Sequence, residues 1–519
     1  EPEQMSSLYK ARDLQAGAVA AGHRVTADAA ARVLNQGGNA FQAVLTALIA
    51  ACLAEPVFAS PGGGGFMTAR HRNGTTDVLD FFVDLPSHKQ TDPDIVEIEA
   101  DFGSVRQCFH IGTGTSAVPG MEAGLAALAA LGGKGNGISL QTLISTALAS
   151  AEGLTISPLQ ARLFEIVKPI LTASDPARAL FAPNGALLAS GDPFDNKDLR
   201  ALFQQIASRG DGLLQGISCP EAMLAQQSGQ GGHIRADDFS DYTELTRDPV
   251  QWQNITARVF SNALPAMGGV LALAMLSAGD KVRSDLSSDL VARAEAIAAV
   301  DAFWRQARNG SEVAEAFHVT ASEPEESSGR DSFNGTTHIS VIDRLGNAVA
   351  VTVTNGEGNG EIVPGTGFML NNMLGEEEVN PEGAAGWQPR PQGRRRLSSM
   401  MAPTIAEGAD GTLLALGSGG SNRIRTALYQ VLANRLMTGM NIREAVYRPR
   451  IHGERGKLDI EDYGNQPEAK ALEGIFPATA FWQEQSLYFG GVHAVERNRR
   501  GRFEGAGDPR REGVFVVVD

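Results

Sequence analysis

Cysteine is scarce in this sequence: 519 residues contain three, Cys52, Cys108 and Cys219. Three cysteines form at most one bridge, so no disulfide framework of the kind found in small secreted domains holds the fold together. A chain of this length instead buries enough apolar surface for an extensive core. The 59 glycines predict many tight turns and close backbone contacts.

Long hydrophobic runs are also missing. The longest apolar stretch, residues 43–54, is too short to cross a bilayer, is interrupted by Thr46 and ends before Glu55-Pro56. We therefore predict a buried helix there and no membrane span. No basic segment followed by an apolar one opens the sequence at Glu1, which leaves open a cytoplasmic protein or one whose signal peptide was removed.

Positive charge is in deficit, because 44 lysines and arginines stand against 60 aspartates and glutamates, for a net charge of −16. A field of that sign repels nucleic acids and anionic membranes, so we predict neither as a partner and expect a small molecule instead. Two short basic runs, residues 394–396 and 497–502, are interpreted as solvated faces rather than binding patches.

Helical and strand patterns are mixed along the chain. Apolar spacing predicts one helix over residues 26–34, a break at Gly37-Gly38, and a second helix from Ala40 to just before Pro56. Further helical patterns cover 120–172 and 286–308, and strand patterns cover 66–71, 77–85, 336–354, 411–417 and 484–518. With no fixed repeat and no long linker, the sequence predicts one α+β unit with helices packed on sheet faces.

One predicted β-hairpin begins with a threonine pair. The stretch "TTHISVID" is followed by a turn at residues 343–347 and by "AVAVTVT", which places Thr336 at the start of a strand. A threonine hydroxyl is a weak nucleophile without a base, but a cut before Thr336 would supply its own α-amine for that purpose. Taken alone, the pair also fits the ordinary start of a half-buried strand.

Eight stretches of the sequence, in this order, resemble the γ-glutamyltransferase family of N-terminal nucleophile hydrolases. They are "GGNAFQAVLTA" (37–47), "GGGGFM" (62–67), "GTGTSAVPGMEAG" (112–124), "GTTHISVIDRLGNAVAVTVT" (335–354), "GFMLNN" (367–372), "RLSSMMAPTI" (396–405), "LGSGGSNRI" (416–424) and "AGDPRREG" (506–513). The resemblance implies a four-layer αββα sandwich and self-cleavage between Gly335 and Thr336. It also implies a large-subunit segment, residues 1–335, that stays associated with a small-subunit segment, residues 336–519.

The resemblance implies that Thr336 forms an acyl-enzyme with a γ-glutamyl or related acyl group, which then passes to water or an amine. Thr354 matches a second threonine that orients the nucleophile. Gly419 and Gly420 match the pair whose N–H groups form the oxyanion hole, although the proline that usually precedes them is missing and Gly420-Ser421 remains an alternative. No cofactor and no metal are expected, and a periplasmic location is implied if a signal peptide was removed.

The substrate-binding positions depart from the family pattern. By resemblance, the residues expected to contact substrate are Asn355, Glu376, Ser398 and Ser399. The arginine that grips the substrate α-carboxylate is replaced by Phe82, which removes a bidentate partner for that group. The shortened loop "NGEGNGEIVPG" offers Glu357 and Asn359 as further polar candidates, with a solvent-facing turn as the alternative.

The predicted function is that of an autoprocessing γ-glutamyltransferase or hydrolase. Phe82 keeps open a second possibility, an acylase of the same family that accepts a non-glutamyl acyl group. A third, from another class, is an unprocessed homologue that binds ligands without catalysis.

Overall fold

The computed structural model describes residues 15–101, 106–133, 136–210, 214–218, 220–282, 290–322, 335–376, 379–461, 472 and 474–519. Cys219 and the first residues of the predicted 286–308 helix lie outside these ranges. Cys52 and Cys108 are both free thiols.

The helices begin with the predicted hairpin. The first helix is capped by His23, whose ring nitrogen Nδ1 accepts a hydrogen bond from the Val25 N–H, and the second by a capping box of Asn39 and Gln42. The helices are α1 Arg24–Asn35, α2 Ala40–Ala54, α3 Met121–Gly132, α4 Leu140–Ser150, α5 Pro158–Ile166, α6 Lys168–Leu171, α7 Asp175–Phe181, α8 Lys197–Ser208, α9 Pro220–Gly229, α10 Ala236–Asp241, α11 Met267–Val282, α12 Leu290–Trp304, α13 Gly310–Ala316, α14 Gly383–Gly386, α15 Arg423–Leu432 and α16 Ile442–Tyr447. None of the helices in the part of the chain that the structure describes is both long and apolar enough to span a bilayer.

Within the described ranges, the strands form two large sheets and two small ones. They are β1 Gly17–Ala21, β2 Gly64–Arg70, β3 Thr76–Phe81, β4 Val96–Asp101, β5 Arg106–Ile111, β6 Leu245–Arg247, β7 Val250–Gln253, β8 Ala257–Ser261, β9 Gly335–Asp343, β10 Ala348–Gly356, β11 Thr404–Gly408, β12 Leu413–Gly419, β13 Ile451–Glu454, β14 Lys457–Glu461, β15 Ala478–Trp482, β16 Gly491–Arg497, β17 Phe503–Ala506 and β18 Val514–Val518. The first sheet has the order β18-β1-β9-β10-β2-β3-β6 and the second β17-β16-β12-β11-β8-β7.

The two large sheets face each other, with β12 packed against β9 and β10. Helices α1 and α2 cover the outer face of the first sheet, and α11 and α15 cover that of the second. The arrangement is four layers, helix, sheet, sheet and helix, which confirms the predicted αββα sandwich. Small apolar side chains, such as Ala350 and Ala415, fill the space between the sheets and allow them to approach closely.

Both large sheets combine strands from either side of Thr336 in the sequence. In the first sheet, β1 is paired on one edge with β9 and on the other with β18. In the second, β8 pairs with β11. The residues before and after Thr336 therefore share their hydrogen-bond ladders.

The predicted β-hairpin is present as β9 and β10. Thr336 is paired with Thr354 at one end, and Ala348 with Ile342 near the turn. At the turn, the Asp343 carboxylate accepts hydrogen bonds from the Asn347 side chain and from the Ala40 N–H at the start of α2. The hairpin is thus attached to the helix that covers it.

The basic run at residues 394–396 is only partly the solvated face that the sequence suggested, because Arg394 is exposed but Arg396 is buried. Its guanidinium donates hydrogen bonds to the carboxylates of Asp80 and Asp84, 2.7 Å away in each case. It also stacks on the ring of Tyr242. Buried ion pairs with several hydrogen bonds satisfy such a charge, and composition alone does not reveal them.

Candidate active site

Thr336 lies at the beginning of β9, where this strand meets the second sheet. Alternation along the strand places Thr336, His338 and Ser340 on the face that looks toward β12. Thr336 is buried, and a side chain at Gly419 on β12 would collide with its carbonyl oxygen. A small residue at position 419 is therefore needed for the two sheets to meet here.

The Thr354 hydroxyl lies beside the peptide bond that precedes Thr336. It donates a hydrogen bond of 2.5 Å to the carbonyl oxygen of Gly335 and accepts one from the Gly356 N–H. The register of β10 shifts between Thr354 and Gly356, and Gly356 has a φ of +62°, a conformation that favours glycine. The irregular strand end thus directs a hydroxyl donor at the Gly335 carbonyl.

Glu357 binds the N–H of Gly335, on the side opposite its carbonyl group. Its carboxylate oxygen Oε1 accepts a hydrogen bond of 2.9 Å from the Gly335 N–H, and its own N–H donates to Asn372. Glu357 and Asn359 are both buried, so the turn does not face solvent. Burial raises the pKa of the Glu357 carboxyl to about 8, although the Gly335 N–H and Arg511 both act to lower it.

Arg511 contacts the nucleophile from the C-terminal part of the chain. Its Nη1 donates to the carbonyl oxygen of Thr336 at 3.3 Å, and its guanidinium lies over the ring of Phe58. Burial lowers the pKa of Arg511 to about 10, and Arg423 acts in the same direction. In the sequence, Arg511 stood out only as part of the matching stretch "AGDPRREG", and no role was predicted for it.

The two glycines at the end of β12, Gly419 within the strand and Gly420 just after it, have different surroundings. Gly419 adjoins Thr336, whereas Gly420, with a φ of +117°, abuts Gly490. Ser421 has a φ of +55°, which is uncommon for a residue other than glycine. These backbone angles form a tight loop directly beside the nucleophile, and both candidate donor pairs remain predictions.

Two of the predicted substrate contacts lie beside the Thr354–Glu357 segment. The Asn355 side chain donates to the Met369 carbonyl at 3.3 Å, while its Oδ1 has no hydrogen-bond partner among the described residues. A side chain on Gly356 would collide with the Glu376 carboxylate. Asn355 and Glu376 thus both lie near the C-terminal end of β10, the strand that pairs with β9.

The other two predicted contacts are attached to a different segment. Ser398 donates a hydrogen bond to the Pro265 carbonyl, and the Ser399 hydroxyl accepts one from the Met401 N–H. Both serines are buried. The Met267 N–H at the start of α11 also donates to the Ser399 carbonyl at 2.8 Å. A substrate role for Ser398 and Ser399 stays a prediction.

Phe82 occupies the place at which the resemblance expects an arginine, and it lies in the core. Its side chain is fully buried, with its ring 5.1 Å from that of Phe66. It belongs to the same hydrophobic cluster as Leu397 and Met400, which flank the two serines. A buried apolar ring therefore stands at the position where the resemblance expects a guanidinium.

The raised pKa of Glu357 predicts a pH-dependent stability. Between about pH 4.5 and pH 8 the folded protein keeps this proton while the unfolded chain loses it, so stability falls as pH rises through that window. In the uncleaved Thr336→Ala background, we expect Glu357→Gln to gain stability relative to glutamate by at most about 1.4 kcal/mol per pH unit. Thermal unfolding from pH 5 to 9 measures the difference.

Glu152→Gln, which removes a carboxylate from an exposed turn, is the matched control for this experiment. A stability difference between the Glu357→Gln variant and its glutamate-containing parent that is constant across the pH range would contradict a buried carboxyl that titrates near pH 8.

The chain matches known proteins over almost its whole length. The family model described as gamma-glutamyltranspeptidase matches residues 26–308 and 305–518. The glutathione hydrolase proenzyme of Escherichia coli (strain K12) is 26% identical over 92% of this chain and 87% of its own length. The Acylase ACY 1 proenzyme of Pseudomonas sp. (strain V22) is 27% identical over 97% of this chain and 93% of its own.

A solved structure has the same fold. The cephalosporin acylase from Bacillus halodurans superimposes with a TM-score of 0.75 at 18% identity, and the match covers 99% of each chain. At that identity the likeness concerns the fold alone. The family model spans both segments of the sandwich, and the chain belongs to the gamma-glutamyltranspeptidase family.

Proposed function

We propose that the protein is an autoprocessing acyltransferase or amide hydrolase that carries a γ-glutamyl or related acyl group on Thr336. Self-cleavage before Thr336 would yield a large subunit from residues 1–335 and a small subunit from residues 336–519. The observation that carries the proposal is the 2.5 Å hydrogen bond from the Thr354 hydroxyl to the Gly335 carbonyl, beside the nucleophile.

Self-cleavage follows from this arrangement in two steps. The Thr336 hydroxyl oxygen attacks the Gly335 carbonyl carbon, the Gly335–Thr336 C–N bond breaks, and the hydroxyl proton passes to the released amine. Thr354 stabilises the oxyanion that develops on the Gly335 carbonyl oxygen. Water then hydrolyses the ester and leaves Gly335 as a carboxylate and Thr336 with a free α-amine.

The hydroxyl and the free α-amine of Thr336 then serve the catalytic cycle. The α-amine of Thr336 accepts the hydroxyl proton while the oxygen attacks a donor amide, and it returns the proton to the leaving amine. Backbone N–H groups of Gly419 and Gly420 would stabilise the tetrahedral intermediate, which is worth about 3 kcal/mol per donor in comparable sites. Water or an acceptor amine releases the acyl group.

The second candidate, an acylase for a non-glutamyl acyl group, is favoured by the burial of Phe82. With phenylalanine at position 82, a substrate α-carboxylate would lack the guanidinium that the family pattern supplies from this position. Initial rates with γ-glutamyl p-nitroanilide and glutaryl p-nitroanilide separate the candidates. A clear preference for the γ-glutamyl compound would favour the γ-glutamyl function over the second candidate.

We expect Thr354→Val to slow self-cleavage by about 10²- to 10³-fold, because valine keeps the shape but removes the hydroxyl donor from the Gly335 carbonyl. Intact mass spectrometry of fresh protein over time gives the rate. Thr354→Ser, which retains a donor, should cleave at a rate close to that of the wild type. Equal rates for the valine and serine variants would show that this hydrogen bond does not assist cleavage.

A further inference from the structure

Gly335 is the first acyl group that Thr336 carries in the proposed self-cleavage. The ester formed in that step has the same attachment, through the threonine oxygen, as the later acyl-enzyme with a donor. We propose that the preferred donors are amides of N-acylated glycine, so that the acyl pocket receives a group built like Gly335 itself. This inference rests on the proposed function and names its substrate class.

The atom two bonds from the reacting carbonyl carbon distinguishes a glycyl group from a γ-glutamyl or glutaryl group. In Gly335 this atom is the N–H that donates to Glu357 at 2.9 Å. In a γ-glutamyl or glutaryl group the corresponding atom is a methylene carbon. A donor with a methylene there would leave the buried Glu357 carboxyl without that hydrogen bond, and buried polar groups left unpaired are a strong source of discrimination.

The carbon next to the reacting carbonyl, the Gly335 Cα, has little free space around it. A side-chain carbon added to Gly335 would lie 2.9 Å from the Gly356 carbonyl oxygen, 3.0 Å from that of Val57 and 3.1 Å from the Phe58 ring. Two of these three contacts are backbone atoms, which do not move aside cheaply. The pocket therefore favours an unbranched carbon, which glycine provides and alanine does not.

Glu357 also borders a small cavity beside Gly335. Together with Asn355, Val57 and Met369 it lines a cavity of about 20 Å³. The Asn355 Oδ1 is a second buried acceptor, and it has no hydrogen-bond partner among the described residues. The side chains of Glu357 and Asn355 thus offer buried acceptor oxygens, which suit an N–H group better than a methylene.

Hydrolysis of such a donor needs only water. The Thr336 oxygen attacks the glycyl carbonyl carbon, the amide C–N bond breaks, and the amine leaves with the proton that the Thr336 amine had taken from its hydroxyl. Water then attacks the ester carbon, gives one proton back to the threonine oxygen, and releases an N-acylglycine.

The decisive experiment uses the wild-type enzyme and two isosteric probes. N-acetylglycyl p-nitroanilide and 4-oxopentanoyl p-nitroanilide differ only by an N–H in place of a methylene at the atom that faces Glu357. We expect kcat/KM to be at least about tenfold higher for the N-acetylglycyl compound. N-acetyl-L-alanyl p-nitroanilide should be hydrolysed at least about tenfold more slowly than the glycyl compound. Equal rates for the two isosteres, or a preference for the methylene compound, would overturn the proposal.

Variants test whether Glu357 is the source of the preference. Glu357→Leu should bring the ratio for the two isosteres close to one, whereas Glu361→Gln, at a half-buried position of the same loop, should leave the ratio unchanged. A wild-type ratio that persists in Glu357→Leu would refute the role of this carboxyl. If Glu357→Leu does not mature, the wild-type ratio still decides whether N-acylglycyl donors are preferred.

Cleavage before Thr336 and hydrolysis of the anilides distinguish a wrong substrate class from a wrong function. Wild-type protein that is cut before Thr336 and hydrolyses glutaryl or γ-glutamyl p-nitroanilide, but shows no preference for the glycyl isostere, would retain the proposed function and lose only the substrate class. Protein that is never cut and transfers no acyl group would lose both.

Discussion

Thr336→Ala is expected to accumulate as one full-length chain and to transfer no acyl group. The alanine lacks the oxygen that attacks the Gly335 carbonyl, so neither the ester nor the free α-amine forms. Turnover of any acyl anilide should fall by about 10⁴-fold or more, because the nucleophile and its base are lost together. Intact mass spectrometry and initial rates measure the two effects.

Thr336→Ser and Thr337→Ser are the matched controls. The first keeps an attacking oxygen, and the second keeps the hydroxyl that donates to Glu55 at 2.7 Å on the opposite face of β9. Both variants should still be cut before residue 336. Cleavage or full turnover in Thr336→Ala would remove Thr336 from its assigned role.

Phe82→Arg is expected to destabilise the protein without improving γ-glutamyl turnover. The side chain is fully buried against Phe66, and a guanidinium placed there would lose its hydration among apolar neighbours. A cost of about 3–5 kcal/mol is typical of an uncompensated buried charge. The fall in thermal unfolding midpoint, measured in the Thr336→Ala background, reports this cost.

Phe82→Leu separates the effect of charge from that of volume, since an apolar swap at a core position costs about 1.5 kcal/mol or less when the site repacks. If Phe82→Arg is as stable as Phe82→Leu and lowers KM for γ-glutamyl p-nitroanilide, the side chain at position 82 reaches the substrate and the second candidate function loses its support.

Local patterns predicted the elements that carry the nucleophile. Alternation and turn chemistry around Asp343 fixed the register that sets Thr336 opposite Thr354, since a hairpin with a short turn leaves little choice of pairing. The α1–α2 hairpin was predicted from helical spacing of apolar residues, with a break at Gly37-Gly38 and an end before Pro56. The four-layer arrangement came from the resemblance to the family rather than from these patterns.

The remaining features depend on contacts between residues far apart in the sequence. Arg511 reaches Thr336 across 175 positions, and no local signal marks it as a neighbour. Glu357 stood out only as a polar residue in a glycine-rich loop, because its burial depends on the β10 irregularity. Arg396 is buried against Asp80 and Asp84, which lie 316 and 312 positions earlier in the sequence, so no local pattern predicts its burial.

Each large sheet contains strands from before and after Thr336, and this affects how a cut protein can refold. Strand β1 is held on both edges by strands that follow Thr336 in the sequence. After a cut, the two chains could not separate without disrupting both ladders and the core between them, so their dissociation would be coupled to unfolding. Once unfolded, the chains must find each other in a bimolecular step. Both sheets therefore need residues from each side of Thr336 to form, and a heated, cut enzyme is expected to recover far less readily than a heated precursor.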